Sequence, residues 1–374
     1  MMSRARTLPI GFILLVWLSS AGLAFSPDPP PPTVGGPSPG RVKEESFVRI
    51  RGIDQWISIR GEDVRAPVLI IVHGGPGAAW SGFSNLDRSW ESDFIVVRWD
   101  QRGAGRTFGR SGPVGVDVTI DQMAQDGVEV AEFVRQRLHK NRVILMGVSW
   151  GSVLGIRMAA ARPDLFYAYV GTGQVVSWKE GEALDYTSVL AKARAANDQE
   201  AIASLEKIGP PPYTNQRSLG IRTNWAAHFE PGALTNAQLL RMPFTAPGYS
   251  VADAQNWLEG LNASQDHFFG ERMDGPFAQE DLSRSGRHFK IPIFIFQGTE
   301  DDISPASLAE AYARSLRAPR VEYVPIDGAG HFAFMTKSAL FLSLLKQRVL
   351  PIAVDASRRR SVLKNSNANG RNCG

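Results

Sequence analysis

The chain has 374 residues, of which 43% are hydrophobic and 21% are charged. This composition supports one α/β domain with an insertion, or two small domains, and argues against global disorder. The formal net charge is only +4 and the predicted folded part lacks a dense run of Lys and Arg, so nucleic acid is not expected as a partner. The one cysteine, Cys373, excludes an intrachain disulfide and a cysteine-based metal site.

The first residues have the layout of a signal peptide. Arg4 and Arg6 precede a short apolar run at residues 10–18, which is followed by small residues. We predict a signal peptide at residues 1–24, and therefore export to the periplasm or the medium. The alternative is an uncleaved N-terminal membrane anchor, although the run is short for a transmembrane helix. Residues 25–43 are rich in Pro and Gly and predict an extended linker.

The folded core is predicted to begin with a β-hairpin. Residues 47–51 and 55–59 alternate between apolar and polar, and a glycine-containing turn separates them. Continuous apolar runs then predict buried parallel strands, because a strand covered on both faces is apolar at every position. These runs are residues 67–72, 94–99, 143–146, 166–171, 291–297 and 321–326.

Three segments of the core predict helices. Residues 119–139 are amphipathic, with apolar side chains near helical spacing. Residues 304–316 predict a second helix with Ser304 as its N-cap, and residues 334–349 predict a closing helix.

The strand-like runs stop between residues 174 and 290, where the pattern is helical. We therefore predict an α/β core interrupted by a helical cap, which would lie over the edge of the sheet where open α/β sheets bind ligands. The predicted division is core at 44–173 and 291–354, cap at 174–290, and a polar C-terminal tail at 355–374.

Residues 147–151 read GVSWG, a G-x-S-x-G pattern between an apolar strand and a helix-compatible segment. This is the context of a nucleophile elbow, in which Ser149 would occupy a strained turn. The N-terminus of the following helix would direct its partial positive charge at a developing oxyanion. The pattern alone also fits a strand-to-helix turn without chemistry.

A serine nucleophile needs a base and an acid that orients the base. Of the six histidines, His331 is the best candidate, because it follows a core strand in a glycine-rich loop and should reach the same sheet edge as Ser149. Asp301 is the preferred acid and Asp302 the alternative, since both follow the penultimate strand. The order Ser, acid, His is the order of α/β hydrolases.

Two backbone amides should complete the site as oxyanion donors. We predict the amide of Trp150 and that of Gly75, which lies in the HGGPG segment after an early strand. Asp100 and Arg102 are predicted to form a structural ion pair that braces the loops. No zinc or calcium ligand spacing appears, and the glycines near residue 104 lack the dinucleotide pattern, so no metal and no cofactor are expected.

Five motifs together resemble the α/β-hydrolase superfamily, and more narrowly its proline iminopeptidase branch of serine peptidases. They are HGGPG at 73–77, DQRGAG at 100–105, GVSWGS at 147–152, GTEDDISP at 298–305 and GAGHF at 328–332. The resemblance covers roughly residues 45–172 and 288–350. It implies Ser149, Asp301 and His331 as the triad, with the amides of Gly75 and Trp150 as oxyanion donors.

The resemblance is weaker in the cap. The peptidases bind the free amine of the substrate through a W-x-x-W-E stretch and other acidic residues, and residues 224–230 do not match that spacing. Glu230 is the candidate substitute, and the alternative is an exposed glutamate at a helix end. Dehalogenase and epoxide hydrolase chemistry is disfavoured, because those relatives carry Asp where Ser149 stands.

We therefore predict a serine hydrolase that cleaves an amide or ester in a small-molecule or short-peptide substrate, most like a prolyl aminopeptidase. A carboxylesterase or lactonase is the alternative, and a non-catalytic binding protein on the same fold is a third possibility. No membrane partner is expected unless the N-terminal segment stays uncleaved, and the sequence leaves the oligomeric state open.

Overall fold

A computed structural model describes residues 40–233, 235–284 and 287–354. The predicted signal peptide, the predicted linker up to residue 39, and the C-terminal tail with Cys373 lie outside the described residues. No helix in the described part of the chain is long and apolar enough to cross a membrane.

Eight strands of the described residues form one mostly parallel sheet. They are β1 (Val42–Ile50), β2 (Ile53–Gly61), β3 (Val68–Val72), β4 (Ile95–Trp99), β5 (Val143–Val148), β6 (Phe166–Thr172), β7 (Ile293–Gly298) and β8 (Val321–Ile326). Their spatial order is β1-β2-β4-β3-β5-β6-β7-β8. The predicted hairpin is present as the antiparallel pair β1 and β2, β2 pairs antiparallel with β4, and the remaining neighbours are parallel.

The central strands are buried because helices and loops cover both faces of the sheet. Every residue of β3, β4, β5 and β7 is buried. Successive side chains of a strand point to opposite faces. Accordingly, Val68, Ile70 and Val72 join one hydrophobic cluster, whereas Leu69 and Ile71 join the other. The continuous apolar runs of the sequence therefore correspond to strands that contribute to two cores.

Helices α1 to α3 belong to the first half of the fold, and α9 to α11 to the end of it. Five helices, α4 to α8, lie between β6 and β7, in the segment predicted as a cap. The bounds are α1 (Gly105–Ser111), α2 (Ile120–Arg137), α3 (Trp150–Ala161), α4 (Trp178–Ala195), α5 (Gln199–Ile208), α6 (Gln216–Phe229), α7 (Asn236–Thr245), α8 (Val251–Phe269), α9 (Ala306–Ser315), α10 (Ala333–Thr336) and α11 (Ser338–Leu344).

The inserted helices are held in two ways. Helices α4, α5 and α6 share a small apolar core of their own, which includes Val189, Leu205 and Ala226. Helix α8 instead rests on α1, where Gly260 lies so close that a Cβ there would be 3.0 Å from the Cβ of Phe108. The insertion is thus partly an independent cluster and partly continuous with the core.

Two helix predictions need correction. Ser304 is not the N-cap of α9, because the helix begins at Ala306 with Pro305 in the cap position; the Ser304 N–H instead donates to Asp301. The closing helix is not continuous, since Lys337 has non-helical backbone angles and separates α10 from α11. A π-helical turn, Leu345–Val349, then follows.

The parallel strands place six loops at one edge of the sheet. The loops that follow β3, β4, β5, β6, β7 and β8 all leave from the carboxyl ends of their strands. These loops carry the candidate site residues, which are far apart in the sequence.

Candidate active site

Ser149 lies on a strained turn between β5 and α3. Its backbone has φ 52° and ψ −121°, a conformation that costs about 1–3 kcal/mol for a residue other than glycine. The flanking glycines explain how the turn fits. A Cβ at Gly147 would lie 2.6 Å from the Gly151 carbonyl oxygen, and a Cβ at Gly151 would overlap the carbonyl oxygen of Val72. The G-x-S-x-G pattern is therefore a steric requirement of this elbow.

His331 and Asp301 form a buried pair. The His331 Nδ1 atom lies 3.1 Å from each carboxylate oxygen of Asp301, and both residues are at most 4% exposed. Burial alone lowers the pKa of His331, but the negative charge and hydrogen bond of Asp301 outweigh burial and raise this pKa above its usual value. The hydrogen bond leaves Nε2 as the ring nitrogen that is free to exchange a proton.

Two residues at the end of β6, Thr172 and Gly173, contact Ser149 and His331. The Ser149 N–H donates to the carbonyl oxygen of Thr172 at 3.0 Å. The next residue, Gly173, lies against the imidazole, where a Cβ would be 2.8 Å from Cε1 of His331. The structure thus brings Ser149, His331 and Asp301 together at the same edge of the sheet.

Asp302, the alternative acid, faces the inserted helices instead of His331. Its Oδ1 accepts from the Ser188 hydroxyl at 2.7 Å, and its Oδ2 lies 2.6 Å from the Lys192 ammonium. Both partners are on α4. Lys192 also contacts the more exposed Glu300, at 3.2 Å. Asp302 is therefore a contact between the loop that carries Asp301 and the inserted segment.

The two segments that carry the predicted oxyanion donors both border Ser149. Trp150 is the first residue of α3, so its amide has no acceptor within the helix. The segment containing Gly75 is adjacent, since a Cβ at Gly74 would be 3.2 Å from the Cβ of Ser149. Gly75 has φ +118°, and a Cβ there would lie 2.5 Å from the amide nitrogen of Gly77. Only glycine fits this turn without strain.

Gln101 is a site residue that the sequence analysis missed. Its side-chain amide donates to the His73 carbonyl oxygen at 2.9 Å and accepts from the Trp150 indole N–H at 2.9 Å. It therefore joins the loop after β3 to the first turn of α3. The signal in the sequence that could have identified Gln101 is its position in the DQRGAG motif, which follows β4.

His73 has a structural role in the same loop. Its Nε2 accepts from the Gln101 N–H, and its Nδ1 lies 2.9 Å from the Gly74 carbonyl oxygen, to which it donates. Burial lowers the pKa of His73 to about 4. The ring is therefore neutral at neutral pH, with one nitrogen that donates and one that accepts a hydrogen bond within the loops.

The predicted ion pair between Asp100 and Arg102 is wrong. Asp100 instead accepts from the hydroxyl of Ser81 at 2.6 Å and from the backbone N–H of Arg106 at 3.0 Å. Arg102 donates to Asp126 at 2.9 Å, whose side chain is completely buried and needs a cationic partner. Burial raises the pKa of Asp100 to about 6.

Glu230 is buried beside the His331 loop. It is the C-cap residue of α6 and is only 5% exposed, so the alternative of an exposed helix-end glutamate is wrong. A Cβ at Gly330 would overlap the Glu230 carboxyl group. Oε1 accepts from the Phe332 N–H at 3.4 Å, whereas buried Oε2 has no hydrogen-bond partner among the described residues. Burial raises the pKa of Glu230 despite the nearby His331.

Comparisons with known proteins agree with this fold. Residues 67–338 match the model of the alpha/beta hydrolase fold family. The chain is 28% identical over 302 residues to a probable aminopeptidase, YbaC, of Bacillus subtilis, which covers 78% of this chain and 92% of that protein. It is 27% identical over 294 residues to a probable proline iminopeptidase of Streptomyces coelicolor. That alignment covers 73% of this chain and 85% of the relative.

Two solved structures share the architecture. The proline iminopeptidase of Mycobacterium smegmatis superposes with a TM-score of 0.61 at 18% identity, over 84% of this chain and 100% of that one. A proline iminopeptidase-related protein of Thermus thermophilus gives a TM-score of 0.55 at 18% identity, over 84% and 99%. The predicted fold class and the resemblance to proline iminopeptidases are confirmed. With its family-model match over most of the chain, this protein belongs to the α/β-hydrolase fold family.

Proposed function

We propose that this α/β hydrolase cleaves an amide or ester through an acyl-enzyme, with Ser149 as nucleophile, His331 as general base and Asp301 as orienting acid. One observation carries the proposal: the buried pair of His331 and Asp301 meets the same 172–173 segment that anchors the strained Ser149. A histidine oriented by a carboxylate, beside a serine on an elbow, is the arrangement that activates a hydroxyl.

The proposed reaction has two stages. His331 Nε2 takes the proton of the Ser149 hydroxyl as the oxygen attacks the substrate carbonyl, and the amides of Gly75 and Trp150 stabilise the resulting oxyanion. The imidazolium then donates its proton to the leaving amine or alcohol, and the C–N or C–O bond breaks. In the second stage, His331 activates a water molecule that attacks the acyl-enzyme and releases the acid and Ser149.

We further propose that the substrate carries a free N-terminal amine, as in a prolyl peptide. The relatives bear the names aminopeptidase and proline iminopeptidase. Within this chain, Glu230 supports the assignment. It lies close to His331, and its buried Oε2 has no hydrogen-bond partner among the residues that the structure describes. A substrate ammonium would provide the missing hydrogen bond and compensate for the buried charge.

An ester or lactone without an amine is the second candidate substrate. The observation that favours it is the cap: Trp225, in the stretch closest to W-x-x-W-E, contacts His228 and Phe229 of its own helix. Trp225 is therefore not an equivalent of the tryptophans in the W-x-x-W-E stretch, with which the peptidases bind the substrate amine. A binding protein that retains the fold without catalysis is the third possibility.

Turnover of three substrates separates these candidates. We expect hydrolysis of prolyl-naphthylamide, loss of activity when its nitrogen is acetylated, and slower turnover of p-nitrophenyl acetate. Hydrolysis of the ester with no cleavage of prolyl-naphthylamide would favour the esterase. If neither is cleaved and Ser149→Ala binds ligands as the wild type does, the binding protein would be favoured.

Export is a separate proposal that rests on the N-terminal sequence. Arg4 and Arg6, the apolar run at 10–18 and the small residues after it have the order of a signal peptide. Fractionation of cells that express the full chain, with N-terminal sequencing of the product, tests it. A mature N-terminus near residue 25 in the periplasm or medium is expected, and an intact N-terminus in the membrane fraction would favour the anchor.

A further inference from the structure

The carboxylate of Asp301 is held by more than His331. The side-chain amide of Gln297 donates to Asp301 Oδ2 at 2.7 Å, while Oδ1 accepts the backbone N–H groups of Ile303 and Ser304 at 2.9 and 2.8 Å. Gln297 lies in β7 and is completely buried. Its amide nitrogen also donates to the Ser304 carbonyl oxygen at 2.8 Å. Both oxygens of the carboxylate therefore have a fixed donor besides the imidazole.

The other end of the Gln297 side chain continues toward the nucleophile. Its Oε1 accepts the backbone N–H of Gln174 at 2.9 Å, which directly follows the Gly173 that contacts His331. The Gln174 side chain in turn donates to the hydroxyl of Ser152 at 3.1 Å, in the first turn of α3. Each of these three side chains is at most 1% exposed. A buried chain of hydrogen bonds thus joins the Asp301 loop to the helix that begins beside Ser149.

We infer that Gln297 is a positioning residue of the triad, which fixes the carboxylate of Asp301 against His331 and holds both in register with Ser149. The inference rests on the proposed catalytic role of these residues. Hydrogen bonds in a buried, fully satisfied network are stronger than in water and specify one geometry. The Gln297 donor also shares the charge of Oδ2, and so limits how strongly Asp301 stabilises the imidazolium.

Substitution of Gln297 by a neutral residue leaves the charges around His331 unchanged. The groups that influence His331 are Asp301, Glu230 on the C-terminal end of α6, and Arg222 within α6. Asp185, on α4, acts in the same region, since Asp301 and Asp302 influence it electrostatically. A change in the titration of His331 in a Gln297 variant would therefore report the lost hydrogen bond and not a lost charge.

Gln55 provides a matched control. It is also a completely buried glutamine in a strand. Its amide donates to the carboxylate of Asp126 at 2.8 Å, and its carbonyl accepts from the Trp99 indole at 2.7 Å. Gln55→Met therefore removes the same kind of interaction from the β2 side of the sheet without touching the triad.

The test is the rate at which a fluorophosphonate probe labels Ser149, measured as a function of pH for the wild type, Gln297→Met and Gln55→Met. This readout needs no knowledge of the natural substrate. We expect the plateau rate of Gln297→Met to fall about tenfold or more, the loss of a hydrogen bond to a charged group. We also expect the acidic limb of its pH profile, where the labelling rate falls as His331 is protonated, to move up by about half a pH unit. The reason is that Asp301 then stabilises the imidazolium more strongly. Gln55→Met should keep the wild-type limb.

The outcomes are distinguishable. If the wild type is not labelled, the proposed triad fails. If the wild type is labelled but Gln297→Met keeps the wild-type labelling rate and acidic limb, the inference about Gln297 is overturned. It is also overturned if Gln297→Met loses labelling rate to the same extent as Gln55→Met and its acidic limb does not move. If Gln297→Met does not fold, Gln297→Asn is the second variant. It stays neutral but shortens the side chain by one methylene, so its amide no longer reaches Asp301. An unmoved acidic limb in Gln297→Asn would also overturn the inference.

Discussion

Glu230→Gln should separate binding of the substrate amine from the chemistry at Ser149. The change keeps the size of the side chain and removes its charge. Oε1 of Glu230 accepts a long hydrogen bond from the Phe332 nitrogen, at 3.4 Å, and Oε2 has no partner among the described residues. The variant therefore gives up little within the folded protein. What it loses is the proposed ion pair with the substrate ammonium.

The expected loss follows from that geometry. A hydrogen bond between charged groups contributes about 1.5–3 kcal/mol, which corresponds to a rise of about 10- to 150-fold in KM for prolyl-naphthylamide. The kcat should change far less. Hydrolysis of p-nitrophenyl acetate, which has no amine, should stay within about twofold. All rates should be compared on the pH plateau of each variant, because Glu230 also raises the pKa of His331.

Two further variants sharpen this experiment. Glu300→Gln removes a carboxylate from the Asp301 loop. Glu300 pairs with Lys192 and is more exposed than Glu230, so this variant should leave KM unchanged. Gly330→Ala keeps every charge but places a methyl group where the Glu230 carboxyl lies. It should therefore displace that carboxyl and raise KM, as Glu230→Gln does. Equal KM values for Glu230→Gln and Glu300→Gln would refute the role of Glu230 in amine binding.

Other consequences concern the acid and the pH dependence of stability. Asp301→Asn should lower kcat by about 10⁴-fold, since the imidazole then takes the wrong tautomer. Asp302→Asn should lower kcat far less and reduce the free energy of unfolding by about 1–3 kcal/mol, because it weakens the contacts with Ser188 and Lys192; an equal loss of kcat in both variants contradicts the assignment. Burial raises the pKa of Asp100 from 3.8 to about 6, so the folded protein holds this proton more tightly than the unfolded chain. Its contribution to stability is greatest below about pH 4 and falls by about 3 kcal/mol as the pH rises through 6. Urea unfolding at pH 4 and 7.5 should show this fall in the difference between wild type and Asp100→Asn, and a constant difference contradicts it.

The sequence predicted those parts of the fold and candidate site that depend on local patterns. Continuous apolar runs identified buried strands, because strands such as β3 contact a core on each face. The GVSWG pattern located the elbow at Ser149, since both of its glycines meet neighbouring backbone. In such cases the residue type itself carries the constraint, even where the contact is distant, as between Gly151 and Val72. A single sequence is then sufficient to show it.

Pairings between distant segments were less accessible. The sequence offered Asp100 and Arg102 as partners because they are close in the chain, but β4 ends so that Asp100 meets Ser81 and Arg102 meets Asp126. Gln297 and Gln174 carry no charge and no motif that marks them, and their contact joins the ends of β6 and β7. Side-chain partners of this kind depend on strand order, which the linear pattern does not specify.

Glu230 was predicted only in part from the sequence. A family resemblance directed attention to residues 224–230, yet spacing alone left a buried and an exposed position equally open. The structure decides between them through the packing of Gly330 on the Glu230 carboxyl. The proposed preference for a substrate amine therefore depends on how the inserted helices meet the His331 loop.

Covalent labelling of Ser149 tests the central claim most directly. The full-length protein is treated with a fluorophosphonate, and the mass of the intact chain and of its peptides is measured alongside Ser149→Ala. We predict one adduct on the peptide that contains Ser149, its absence in Ser149→Ala, and loss of all hydrolysis in parallel. Hydrolysis that persists in Ser149→Ala, or an adduct on another residue, would contradict the account.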